Sequence, residues 1–335
     1  MKFIDVFTHF FPDAFFKKFQ AMAPDAGMFR RSAKIQNIWD LNLRLATIRE
    51  FPDYKQVLSL ASPPIEAFTT PEQGPELARI GNDSQAELVA KYPNEFAGFL
   101  IALPMNNPEA SVAEVERASK QLKGAAVQLY SNVAGKPLDA PEFAQVFEAI
   151  HQANLPIFIH PARDARFADY KTEDKSKYEI WWTLGWPYET STAMARLVFS
   201  GAMDRWPNLK VVTHHLGGIA PYLAGRVGYG WDQLGTRTSD EDYFALLKSM
   251  KKRPIDYFKM FYGDTAEFGS LAATRCGLDF FGVEHVLFAS DCPFEPTPGL
   301  YIRETLRVMR ELGVSEADLA KICHGNAQRL MPGLQ

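Results

Sequence analysis

Eight short apolar runs, separated by stretches of helical periodicity, leave this chain few folds to choose from. They are Phe3–Phe7, Gln56–Ala61, Phe96–Ala102, Ala125–Tyr130, Pro156–His160, Leu209–His214, a weak run near Phe258–Tyr262, and His285–Ala289. A strand that is apolar throughout must bury both faces, which a parallel sheet does by laying helices over one of them. The segments between the runs supply such helices. Pro108–Lys123 places Val112, Val115, Ala118 and Leu122 on one side at spacings of three and four, and Pro141–Asn154 repeats the pattern. Alternating strands and helices in this number close into a barrel. The expected fold is therefore α/β, a (β/α)8 TIM barrel, with residues 1–335 forming one domain, a length usual for such barrels.

Two stretches exceed the repeating unit. Residues 13–50, rich in Phe, Met and Arg, are read as a helical insertion after the first strand, and the charged segment 162–181 as a loop after the fifth. Both leave the C-terminal ends of strands, where barrel active sites lie, so they are candidate lids or subunit contacts.

Polar residues fall on that same rim. His9 follows the first run, His160 closes the fifth (PIFIHPA), His215 follows the sixth (KVVTHHLGG) and Asp291 follows the eighth (HVLFASDCPF). One buried His or Asp at a strand end is ordinarily a hydrogen-bonded structural residue. Four from four strands converge on one cavity, and imidazole with carboxylate is a ligand set suited to a borderline divalent ion, with water completing the shell. His9, His160, His215 and Asp291 are therefore read together as one candidate metal-bearing site. His151, His285 and His324 fall in helices or at the opposite rim. Adjacent strand residues point to opposite faces, so only one of His214 and His215 is expected in the mouth. Asp264, ending the seventh run, is compatible with substrate binding, with support of a ligand His, or with a helix cap.

Composition excludes other classes. Hydrophobic residues are 47% and charged residues 23%, an ordinary globular balance, so disorder is excluded. The net charge of −4 and the lack of any long Lys/Arg block argue against nucleic acid as partner. No apolar stretch is long enough for a bilayer, and the N-terminal run, interrupted by Asp5 and His9, does not read as a signal peptide. Cys276, Cys292 and Cys323 form no CxxC pair, so a cytoplasmic, reducing location is expected.

The segments IDVFTH, IFIHPA, WPYETSTAMARLVFSGAMDRWPNLKVVTHHLGG and LFASDCPF, in this order, resemble the amidohydrolase-2 branch of the amidohydrolase superfamily. Within it the chain is similar to the aminocarboxymuconate-semialdehyde decarboxylase group of metal-dependent, non-oxidative decarboxylases. The resemblance spans residue 3 to about 332, and Trp186–Gly218 is its most specific part. It implies an H-x-H ligand pair on the first strand, of which His9 is the second member while the first position holds Phe7, with His160 and Asp291 as the further metal ligands and His215 as the general acid/base. A phenyl ring donates no lone pair, so one ligand is missing, and Asp5 lies too deep to replace it.

The resemblance further implies substrate-binding roles for Arg44, five residues after Trp39, for Arg226, five after Pro221, and for Trp182, five before Pro187. Arg226 would be contributed by a neighbouring subunit, so a homodimer is expected. A guanidinium fork fits a carboxylate, and the partner is expected to be a small carboxylate substrate. Read structurally instead, Arg44 would pair with Asp40 at the surface and Trp182 would pack with Trp181 and Trp186. Asn326, in the terminal G-N-A, is read as structural.

The implied reaction is loss of CO2 from an aromatic or unsaturated acid, assisted by a divalent ion (Zn, with Mn or Fe as alternatives), His215 or protonated Asp291 supplying the proton. A hydrolase or hydratase built on the same site is the first alternative. A catalytically silent barrel with a degraded metal site is the second.

Overall fold

Each apolar run becomes a parallel strand, and the strands follow chain order around a single eight-stranded sheet. The computed structural model describes residues 1–23, 27–237 and 241–335. The strands are β1 (Phe3–His9), β2 (Tyr54–Ser59), β3 (Phe96–Ala102), β4 (Ala126–Tyr130), β5 (Ile157–His160), β6 (Val211–Thr213), β7 (Tyr262–Asp264) and β8 (Val286–Leu287). Neighbours pair in parallel from β1 to β8. The circuit closes where Val6 N donates to Phe288 O at 3.0 Å and His9 N to Cys292 O at 2.9 Å.

Strand alternation divides the core in two. Leu58, Phe99, Val127, Ile157, Ile159, Val211 and Val286 pack outward against the helices. Val57, Leu100, Ala126, Phe158, Val212 and Leu287 fill the barrel interior, where Ala327, Leu330 and Met331 from the C-terminal segment join them. Both faces of every strand are thus dry, which is why the runs read as continuously apolar. Outside, Pro108–Leu122 buries Val115 and Ala118 as its spacing predicts; Asn107 caps it, accepting from Ala110 N at 3.1 Å.

Two boundaries differ from the sequence reading. The weak seventh run is split, because Pro254 starts a short helix, Pro254–Phe258, and the strand begins only at Tyr262. The sixth strand stops at Thr213, one residue before the histidine pair. Between β1 and β2 lie α1 (Asp13–Met22), α2 (Gly27–Ala33), a 3-10 turn at Gln36–Ile38 and α3 (Leu41–Arg49). No strand or helix spans 162–179; the chain resumes in helix at Ile180–Thr183 and Gly185–Phe199. No helix among the described residues is long and apolar enough to cross a membrane.

Candidate active site

The strand ends bring His9, His160, His214 and Asp291 together, all buried, with one potential ligand atom from each lying within 4.8 Å of the others. Ligands of one ion at about 2.0–2.2 Å from it stand no more than roughly 4.4 Å apart, so the cluster is close to the size of a coordination shell. His9 and His160 are the last residues of β1 and β5. Asp291 follows β8 in a left-handed turn, φ 61°.

Each imidazole has an outer acceptor for its Nδ1–H. Ser59 Oγ, whose own proton goes to Thr8 O, lies 3.0 Å from His9 Nδ1; Pro161 O lies 2.7 Å from His160 Nδ1; Asp264 Oδ2 lies 2.7 Å from His214 Nδ1. These bonds fix the tautomer and turn all three Nε2 atoms inward, the arrangement of a metal-ligating histidine. Nε2 of His9 and of His214 then face the same carboxylate oxygen, Asp291 Oδ1, at 3.0 and 3.2 Å. A lone pair so close to a carboxylate is stable only with a cation or proton between them, so the donor set fits a divalent ion.

The electrostatics agree. Burial lowers the His214 pKa, but Asp264 and Asp291 on either side outweigh it and carry it up to about 10. Burial raises Asp291, and the His214 charge overrides it, holding the carboxyl well below its usual range. His160 is depressed by burial and by the neighbouring imidazoles, so it stays a neutral donor.

Both members of the histidine pair enter the mouth, which corrects the expectation that only one would. Alternation holds only while the backbone is extended, and here β6 has ended: His215, Leu216, Gly217 and Gly218 all have positive φ, between 46° and 76°. Gly218 is required, since a Cβ there would stand 2.0 Å from Pro187 O. The turn lays the His215 ring 3.8 Å from that of His214. His215 Nδ1 donates to Ala266 O at 2.5 Å, and Nε2 has no partner among the described residues. Burial, then the adjacent His214, lowers its pKa to about 4. Asp264 serves both histidines, accepting from His215 N at 3.1 Å and Ala266 N at 3.2 Å as well as from His214.

Phe7 is fully buried beneath the cluster, its ring centroid 4.4 Å from His214, 5.1 Å from His9 and 5.8 Å from His160. Asp5 lies apart, accepting from Tyr54 Oη and Ser290 Oγ, each at 2.5 Å, and from Ser290 N.

The residues expected to bind substrate are placed unequally. Arg44 is fully buried behind His9 and donates to His9 O, to Gln56 Oε1 at 3.4 Å and to Cys292 Sγ at 3.0 Å. The surface reading of Arg44 does not stand, since Asp40 instead caps α3 through Leu43 N; both terminal nitrogens of the guanidinium are bonded internally, and its Nε is buried with no hydrogen-bond partner among the described residues. Trp182 is half-buried at the mouth, donating to Glu179 Oε2 at 2.6 Å and lying 6.3 Å from Trp186, which in turn lies 5.2 Å from His160. Arg226 is exposed and forms no ion pair among the described residues. Asn326 donates to Val283 O and Val286 O, tying the C-terminal segment to β8.

Sequence reasoning missed Arg31. It sits on α2 with its guanidinium over Trp182, Trp181 and Phe294, at 5.1, 5.8 and 5.9 Å, and Phe294 lies 5.3 Å from His9. Its Nη1 is buried with no hydrogen-bond partner among the described residues. Nothing in FRRSAK marks it out; only tertiary placement does.

A sequence model of the amidohydrolase family, described as "Amidohydrolase", matches residues 4–332. The chain is 31% identical over 315 residues to a gamma-resorcylate decarboxylase of Polaromonas sp., covering 92% of this chain and 91% of the relative. Among solved structures it matches the 5-carboxyvanillate decarboxylase of Sphingomonas paucimobilis with a TM-score of 0.80 and 27% identity, covering 99% of each chain. A dihydroxybenzoic acid decarboxylase of Polaromonas sp., solved with bound manganese and the inhibitor 2-nitroresorcinol, matches with a TM-score of 0.79 and 26% identity, covering 99% of this chain and 97% of the other.

Proposed function

The chain belongs to the amidohydrolase family, and from that premise we propose that it is a metal-dependent, non-oxidative decarboxylase of an aromatic or unsaturated carboxylic acid. The observation that carries this reading is the set of inward-turned Nε2 atoms around Asp291, with the unpartnered Nε2 of His215 beside it.

His9, His160 and Asp291 would hold the ion, with His214 at their side. When bound, the ion supplies a Lewis acid for the substrate carboxylate and an adjacent oxygen. Imidazoles with a carboxylate favour zinc, and the manganese-bearing relative makes Mn2+ the alternative; elemental analysis of protein purified without chelator distinguishes them.

His215 is the proton carrier. With Nδ1–H held by Ala266 O, only Nε2 is open to accept a proton from the substrate and pass it to the carbon that bears the carboxylate. The C–CO2 bond then breaks, its electron pair restores the unsaturated system, and CO2 leaves without redox change. Asp291, facing two imidazoles through one oxygen, is better placed to remain ionised than to donate. Arg31, backed by Trp181 and Trp182, offers its Nη1 to a substrate carboxylate or phenolate in the role first assigned to Arg44.

Association into a homodimer is part of the proposal. Arg226, with no ion pair among the described residues, lies in sequence between Tyr222 and Tyr229, which are 83% and 77% exposed, a surface suited to a second copy of the chain. The three free cysteines support a reducing, cytoplasmic setting.

The test is mass balance. Metal-loaded protein incubated with ortho-hydroxylated aromatic acids and unsaturated dicarboxylates is expected to release one CO2 per product formed. A product that has gained water instead would establish the hydratase or hydrolase alternative.

A further inference from the structure

We infer that His214 is itself a metal ligand, supplied from the end of β6 in place of the first-strand ligand that Phe7 removes. The inference rests on the metal-dependent reading above and concerns which residues complete the shell. A barrel that loses one donor from an H-x-H pair keeps three, His9, His160 and Asp291. The His214 imidazole restores the number to four from a neighbouring position on the same rim.

Several observations converge on this exchange. The Phe7 phenyl fills the space under the cluster and meets the His214 ring edge-on, so the residue without a donor lies against the residue that brings one. Nε2 of His214 and Nε2 of His9 point at one oxygen of Asp291, the convergence expected of groups sharing an ion. The outer nitrogen is tied to Asp264, and Asp264 is itself oriented by two backbone N–H groups. That carboxylate–histidine pair is the usual support of a metal-bound imidazole and makes Asp264 a positioning residue. The left-handed turn from His215 to Gly218 is what allows β6 to deliver two imidazoles, one for the shell and one for the proton.

The competing account is a structural imidazolium held between Asp264 and Asp291. Cobalt separates the two, because it reports its ligands in the visible and near-ultraviolet. The wild-type chain, stripped and titrated with Co2+, is expected to bind one equivalent. His214→Cys is expected to add a thiolate-to-cobalt charge-transfer band, which only a directly bound sulfur produces. His214→Gln is expected to weaken Co2+ binding by about 100-fold or more, beyond the roughly 10–100-fold expected for Asp264→Asn. Phe7→His in the His214→Gln background, which rebuilds the H-x-H pair, is expected to recover most of that affinity.

His214→Cys that binds cobalt without the band, or folded His214→Gln that binds it as tightly as wild type, overturns the inference. A wild-type chain that takes up no cobalt overturns the metal-dependent reading along with it. Should His214→Gln fail to fold, the His214→Cys spectrum decides.

Discussion

His9 separates two polar regions of opposite character. Behind it, Arg44, Gln56, Cys292, Tyr54, Asp5 and Ser290 form a chain of contacts that closes on itself: Arg44 to Gln56 and Cys292, Gln56 to Tyr54 at 3.0 Å, Tyr54 and Ser290 to Asp5. In front of it the polar atoms are left open, Nε2 of His215 and Nη1 of Arg31 above all. Buried polar groups are ordinarily paired, so the closed region is scaffold and the open one is where a ligand completes the bonding. Two arginines of the same helical insertion thus differ in what they bond: Arg44 uses both terminal nitrogens on the scaffold, with Nε unpartnered among the described residues, whereas Arg31 keeps a terminal nitrogen, Nη1, unpartnered beside the aromatic rings of the mouth.

The comparison breaks first at His215. His215→Asn removes the open nitrogen but none of the four clustered donors, so kcat is expected to fall by about 10²–10⁴-fold with metal content unchanged. Single-turnover kinetics with elemental analysis checks this, and retained activity would take His215 out of the proton path. Behind His9 the outcome is reversed. Arg44→Met strips the donors from His9 O, Gln56 and Cys292, and is expected to cost about 3 kcal/mol of stability in urea unfolding, with KM little changed. Unchanged stability with a raised KM would return Arg44 to the substrate.

The sequence made the barrel legible because parallel strands buried on both faces show as continuous apolar runs, and the rim positions of His9, His160 and Asp291 followed from where those runs end. It misplaced the weak seventh strand, since Phe258 and Phe261 are apolar for the sake of the core under a short helix and loop, not for a ladder. It passed over His214 because alternation was carried one residue too far; the Gly217–Gly218 pair just beyond was the available sign that extended backbone was ending. Arg44 and Arg31 could not be told apart, for both are arginines in helices of one insertion, and spacing from Trp39 says nothing about which guanidinium is already bonded.

The closed region also carries a pH signature. Burial raises the Asp5 carboxyl to about 6, against the pull of its bonds from Ser290 and Tyr54. A carboxyl whose pKa is higher folded than unfolded favours the folded state most when protonated. Its contribution is therefore fully present below about 4 and lost as pH rises through about 6. The change is on the order of 2–3 kcal/mol. Asp5→Asn is expected to flatten that part of the stability–pH curve; an unaltered curve would show that Asp5 titrates alike in the folded and unfolded chain.

The smallest effect belongs to the open region and bears most directly on the substrate. Arg31 has aromatic rings for its faces and a buried Nη1 without an acceptor, so the bond it lacks is one a bound anion can make. A charge-assisted hydrogen bond contributes about 1.5–3 kcal/mol, which places the expected rise in KM for Arg31→Gln at roughly 10–100-fold, with unfolding stability within about 0.5 kcal/mol of wild type. Arg31→Lys keeps the charge but loses the planar fork, so it is expected to recover only part of the loss. If Lys restores KM in full, charge alone is being read at this position; if Gln leaves KM unchanged, Arg31 does not meet the substrate, and the contrast between the two sides of His9 rests on His215 alone.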